Sequence, residues 1–129
     1  MPEGWTILEQ GDDFTRFGHS ATDAALATVA PLNMEALVTQ AGGTWPTQTE
    51  NVARAFWQLL GENGRASFGS LSFVGDGSVR SRGSYEDGRL WYRIIPVAGT
   101  SAIGMEVRGP NGSWEAHADV FLDTLVLTP

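Results

Sequence analysis

The run Tyr85-Glu86-Asp87-Gly88-Arg89-Leu90-Trp91-Tyr92-Arg93-Ile94 sits at the centre of a longer stretch, Ser67 to Arg108, in which side-chain character repeats with period two. Turn residues punctuate it at Gly75-Asp76-Gly77, Asp87-Gly88 and Gly99-Thr100, the spacing of an antiparallel meander of four strands. Taking Asp87-Gly88 and Gly99-Thr100 as two-residue hairpin loops fixes a register. Tyr85 then faces Leu90, Gly83 faces Tyr92 and Ser81 faces Ile94, while Ile94, Tyr92 and Pro96 meet Met105, Val107 and Ile103. This face is apolar, with Gly83 making room for the Tyr92 ring. It is expected to pack against the helices on either side of the meander in sequence.

The same register makes the opposite face unusual. Arg82 lies across from Arg93, Glu86 from Arg89 and Ser84 from Trp91, with Glu106 beside Arg93 and Arg108 beside Trp91. Like charges directly opposed in a sheet cost a few tenths to about 1 kcal/mol. In one reading Glu106 neutralises the pair and Arg108 stacks on exposed Trp91, a solvated or helix-covered ladder of little energetic weight. In the other, Arg80, Arg82, Arg93 and Arg108 surround Trp91, with Glu106 alongside, as a basic patch for an anionic ligand or an acidic partner segment. Arg80, Arg82, Trp91, Arg93, Glu106 and Arg108 are therefore the candidate binding residues.

Outward from the meander, Trp5 to Glu9 is a β-prone run, and Gly11-Asp12-Asp13 turns it into the alternating Phe14 to His19, an N-terminal hairpin. Ala24 to Ala30 reads as a strand, because Thr28, Val29 and the following Pro31 oppose the helical preference of its alanines. Asn33 caps a short helix through Met34, Leu37, Val38 and Ala41 that stops at Gly42-Gly43. Thr47-Gln48-Thr49-Glu50 has the form of a capping box, and Val52, Ala53, Phe56, Leu59 and Leu60 make one apolar stripe ending at Gly61. Pro110-Asn111-Gly112-Ser113 supplies the turn and cap of a last amphipathic helix from Trp114 to Leu125, which sets Trp114, Ala118, Phe121, Leu122 and Leu125 against Glu115, Asp119 and Asp123. The expected fold is one α+β domain over residues 1–129. Its twisted antiparallel sheet, a meander of at least four strands plus the N-terminal hairpin, packs with two to three helices.

Composition narrows the function. A chain of 129 residues can bury a core without staples, and with no cysteine it has no disulfides. Fifteen acidic against eight basic residues give a net charge of −7, which disfavours nucleic acid as a partner. The basic residues are all arginine, a completeness that fits a GC-rich genome. The longest apolar stretch, Ala24 to Leu32, falls short of the ~20 residues of a membrane span. Neither a basic nor an apolar leader precedes Trp5, so the expected location is cytoplasmic, or exported if a leader has been removed.

Catalytic patterns are weak. Gly69-Ser70-Leu71-Ser72 misses the nucleophile elbow, and His19 and His117 are the only histidines. Glu115, His117 and Asp119, two residues apart on a helix, point about 200° from one another and do not converge on a metal. Gly75-Asp76-Gly77 is a hairpin turn with no helix behind it to cradle phosphate. Of the tryptophans, Trp5, Trp57 and Trp114 fit core positions, Trp45 precedes a helix cap, and Trp91 alone falls on the charged face.

The opening Pro2-Glu3-Gly4-Trp5, the hairpin through Phe14 and Phe17, the late run Ser84-Tyr85 to Leu90-Trp91-Tyr92, and the closing helix before Asp123-Thr124-Leu125-Val126-Leu127 together resemble the PsbP/DcrB-like group. Its members include small lipoproteins, photosystem accessory proteins and a Ran-binding protein. The resemblance implies a twisted antiparallel sheet with helices on both sides, one of which covers part of the face bearing Trp91 and Ile95. It also implies a non-enzymatic binding role, since the group shares no catalytic machinery. The lipobox cysteine of the lipoprotein members is missing here. The resulting expectation is a non-catalytic protein-binding or accessory module without cofactor, whose partner is another protein. Two alternatives stand beside it. One is an acidic immunity protein or secretion chaperone neutralising a basic partner. The other is a small-ligand-binding protein or enzyme, with a pocket between helix and sheet lined by Tyr85, Tyr92 and Trp57.

Overall fold

The alternating segments form one antiparallel sheet in a computed structural model that describes residues 4–20, 22–62, 66–73, 78–85, 88–110 and 114–123. Its strands are β1 (Trp5–Gln10), β2 (Thr15–His19), β3 (Thr22–Asn33), β4 (Ala66–Phe73), β5 (Val79–Tyr85), β6 (Gly88–Ala98) and β7 (Ser101–Gly109). The order across the sheet is β1-β2-β3-β7-β6-β5-β4, so two meanders, β1 to β3 and β4 to β7, meet where β3 pairs with β7. Ala24 to Ala30 is strand, as its β-branched residues and Pro31 require. Between the meanders run α1 (Met34–Gln40) and α2 (Thr49–Glu62), and α3 (Glu115–Leu122) closes the described part of the chain.

Local chemistry explains the helix boundaries. The Asn33 side chain accepts a hydrogen bond from the Ala36 amide at 3.0 Å, the expected cap of α1. At the start of α2 the Thr47 hydroxyl accepts from the Asn51 side-chain amide at 2.8 Å, while the Gln48 carbonyl accepts from the Asn51 and Val52 backbone amides. Helix α3 begins at Trp114 without a side-chain cap, and Asn111 to Ser113, Leu125 and the closing residues to Leu127 lie outside the described residues.

Both faces of the sheet are covered, but by different helices. Helices α1 and α2 pack on one face, where Met34, Val38, Val52 and Ala53 meet Val79, Tyr92, Ile94 and Ala102. Helix α3 packs on the other, where Trp114, Ala118, Phe121 and Leu122 meet Trp5, Phe17, Trp91, Ile95, Met105 and Val107. This corrects the expectation that the C-terminal helix shares the apolar face with the capped helix. The charged face carries Trp91 and Ile95 into a second core, with Trp91 only 4% exposed.

Two register differences separate the expected sheet from the observed one. Between β5 and β6 the ladder closes at Tyr85 opposite Gly88, so Gly83 faces Leu90, Arg82 faces Trp91 and Arg80 faces Arg93. This is a shift of two residues, which changes partners and keeps faces. Gly88 serves the ladder: a Cβ there would stand 2.2 Å from the Gly109 carbonyl oxygen. Glu86 and Asp87 lie outside the described residues. Between β6 and β7 the Gly99-Thr100 loop forms as expected, with Gly99 at φ +57, and Ala98 faces Ser101. Val97 is then an extra residue in β6, because Pro96 already faces Ala102. This bulge moves the rest of the ladder by one residue and turns β7 over. Tyr92 faces Glu106, Leu90 faces Arg108 and Arg93 faces Met105.

Glycines mark where rings enter the sheet. At Gly83 a Cβ would stand 2.2 Å from the Ser67 carbonyl oxygen of β4 and 2.9 Å from the Trp57 ring of α2, so this glycine makes room for β4 and Trp57 rather than for Tyr92. Room for Tyr92 comes instead from Gly104, where a Cβ would sit 2.3 Å from the tyrosine hydroxyl. Substituting Gly104→Ala is expected to destabilise the protein by about 1–3 kcal/mol through overpacking. Combined with Tyr92→Phe, which removes the clashing oxygen, it should cost less than the sum of the two single changes in a urea-denaturation double-mutant cycle.

Candidate functional site

The arginines predicted around Trp91 divide into three environments. Arg93, on β6, is buried; its Nε donates to the Ser78 hydroxyl at 3.1 Å and its Nη1 to the Leu122 carbonyl at 2.6 Å. The positive guanidinium therefore meets the electron-rich end of α3 and binds that helix to the sheet. Arg80, on β5, reaches the exposed side of the same helix, with Nη1 3.5 Å from Asp119 and Nη2 on the Asp123 carboxylate. Arg82, also on β5, is exposed and donates from Nε to the Ser70 hydroxyl of β4 at 3.1 Å.

Glu106 and Arg108 are not part of this group. The Val97 bulge puts them on the α1/α2 face, where the Arg108 Nε donates to Glu106 at 2.9 Å beside Tyr92 and Leu90. This corrects the placement of Glu106 beside Arg93 and of Arg108 beside Trp91. Like charges do face one another on the α3 side, though as Arg80 against Arg93 and not Arg82 against Arg93. The two cations point to different acceptors, Asp119 and Asp123 for one and the helix end for the other, which relieves their repulsion.

Arg80, Arg82 and Trp91 share a cleft of about 300 Å³ beside α3, which Ser70, Leu71, Ser81, Asp119 and Leu122 also line. Helix α3 covers β6 and β7, and the cleft opens where its coverage ends over β4 and β5. Sequence reasoning missed Ser70, Asp119, Asp123 and the Leu122 carbonyl as parts of this site. The signal for the aspartates was present in their four-residue spacing, which places both on one side of a helix. It became meaningful only once that helix was known to lie on the arginine face.

Of the residues expected to line a pocket between helix and sheet, Tyr92 and Trp57 are engaged by their neighbours. Phe56 stacks on Tyr92 at a centroid distance of 3.8 Å and an interplanar angle of 12°. The Trp57 Nε1 donates to the Ser81 hydroxyl at 2.7 Å, and that hydroxyl donates to the Tyr92 carbonyl at 3.3 Å. Burial, reinforced by the nearby Glu106 charge, raises the Tyr92 hydroxyl pKa far above its ordinary value, so the phenol stays neutral. The Tyr85 side chain lies outside the described residues.

A second cluster joins β1 and β2 to α3. His19 sits edge-on to Trp5 at 4.9 Å and to Trp114 at 5.0 Å between centroids, with the His117 ring 4.9 Å away. Desolvation, and then the positive potential of His117, lowers the His19 pKa. His117 turns to these rings while Asp119 turns to Arg80, so neighbours on α3 diverge. Among the described residues no group of three His, Asp or Glu side chains is placed to hold a metal ion. No described helix is long and apolar enough to cross a membrane.

No protein-family model matches the chain, and no curated protein matches it. A 1.50 Å crystal structure of a protein from Bacteroides thetaiotaomicron VPI-5482 is similar over 99% of this chain, at 16% identity and a TM-score of 0.44. The chain spans 43% of that protein's length.

Two tests follow from these contacts. Arg93→Met should cost about 1–3 kcal/mol in denaturant unfolding, because Ser78 and the α3 terminus lose a buried charged donor. The His19 environment favours the neutral ring, so its contribution to stability is complete above the ordinary histidine value of 6.5 and lost as pH falls below it. The melting temperature should drop across that window, and His19→Gln should flatten the slope.

Proposed function

We propose that the chain is a non-catalytic protein-binding or accessory module of the PsbP/DcrB-like kind, and that it receives an acidic segment of a partner protein in the cleft beside α3. The observation that supports this reading is the pairing of Arg80 and Arg82 on one wall of that cleft, two residues apart on the same face of β5. Alternate residues of a strand lie about 7 Å apart on one face, a spacing that successive acidic side chains can bridge. Ser70 is engaged as acceptor for Arg82, and none of the described residues that line the cleft is a histidine. The cleft is thus chemically equipped to hold an anion in place. With a net charge of −7 over the whole chain, these arginines form a local positive feature against a repulsive background, which favours a directed contact over diffuse attraction.

Titration of a glutamate-rich peptide into the protein by calorimetry is expected to give saturable binding that weakens as salt is raised. Arg82→Glu should reduce the affinity at least about tenfold, since it replaces a favourable charge contact with a repulsive one. Identical titrations for the two proteins would overturn the assignment of the cleft.

A further inference from the structure

We propose that Asp123 is an internal stand-in for the partner's carboxylate, and that an acidic partner segment enters the cleft by taking its place on Arg80. This rests on the reading of the cleft given above and adds the way in which the site is regulated. Arg80 is largely buried, with its side chain 18% exposed, whereas the Asp123 side chain that holds it is 65% exposed. The cation is fixed by its surroundings and its anion is not.

The geometry of the guanidinium points to the exchange. Its Nε and Nη2 lie on one edge and together match the two oxygens of a carboxylate. Asp123 engages Nη2 through a single oxygen, Oδ1, and Asp119 engages Nη1. The Nε is buried and has no acceptor among the described residues. Asp123 is the C-cap residue of α3, one position beyond the last helical residue, and its side chain meets Arg80 from the helix end. A glutamate or aspartate arriving along the cleft, which Arg80 lines, can take Nε and Nη2 together. It makes the bond that Asp123 makes and satisfies the donor that Asp123 leaves unmet. The displaced Asp123 carboxylate is already largely in water, so its release adds little desolvation change.

Calorimetry with the same glutamate-rich peptide on wild type, Asp123→Asn and Arg80→Lys tests this, with the Arg80 Nε–H signal followed by NMR in the wild type. Removing the internal competitor should tighten binding roughly two- to fivefold in Asp123→Asn, the range of an exposed ion pair. Arg80→Lys keeps the charge but loses the paired donors and should weaken binding about tenfold. The Nε–H signal should move on peptide addition. Peptide binding to wild type with no gain in Asp123→Asn, or with a stationary Nε–H signal, overturns the exchange and leaves the cleft reading standing. No binding to wild type or to Asp123→Asn overturns the cleft reading itself. Inorganic phosphate that displaces the peptide at equal concentration overturns the assignment of a carboxylate.

Discussion

The extra residue Val97 in β6 governs the distribution of charge and core through the whole sheet. A side chain in a strand belongs to one face or the other, so a single inserted residue exchanges the two faces for everything paired beyond it. Because of it, Met105 and Val107 join Trp91 and Ile95 beneath α3, and Glu106 and Arg108 leave that layer to pair with each other on the opposite side. Without the insertion, α3 would lie over an ion pair and the α1/α2 core would receive the two apolar residues instead. Two hydrophobic layers exist on this sheet because the bulge supplies the second with its floor.

The local elements were legible where the chain carries its own punctuation. Asn33 before an apolar repeat, Gly42-Gly43 after it, and the alternation from Ser67 to Arg108 each act within a few residues, and the helices and strands they imply form. The Gly99-Thr100 loop was legible for the same reason. What was not legible depends on partners distant in sequence. Pro96-Val97-Ala98 looks like ordinary strand, and nothing in it distinguishes a bulge from a continued ladder. The faces of β5 and β6 survived a two-residue slip, so Arg80, Arg82, Trp91 and Arg93 share a side as read from the sequence. Glu106 and Arg108 were lost from the site by the one-residue slip, and the aspartates of α3 were overlooked because the face covered by that helix was assigned wrongly.

With α3 in place, the charged face has a specific arrangement. A basic stripe that would suit an acidic segment already holds one, the chain's own last described helix, anchored by Arg93 at its carbonyl end and by Arg80 along its side. The inner contact is buried and charge-assisted, while the outer one is partly open to water, and their energetic weights differ accordingly. The same helix is therefore held firmly through its interior and more weakly at its margin. That separation lets a surface contact change without the core beneath it changing.

The joint between β3 and β7 imposes an order of events on the chain. Each meander is made of hairpins between neighbouring segments, but the joint pairs residues as distant as Leu26 and Arg108, with α1, α2 and three strands in between. Closing so large a loop costs entropy before any of its hydrogen bonds repay it. The interface under α3 draws Phe17 and Ala27 from the first meander and Trp91 and Val107 from the second, so it is complete only when the joint has closed. Helix docking and sheet closure therefore depend on the same β3–β7 pairing, and neither is complete until β7 and α3 have been made.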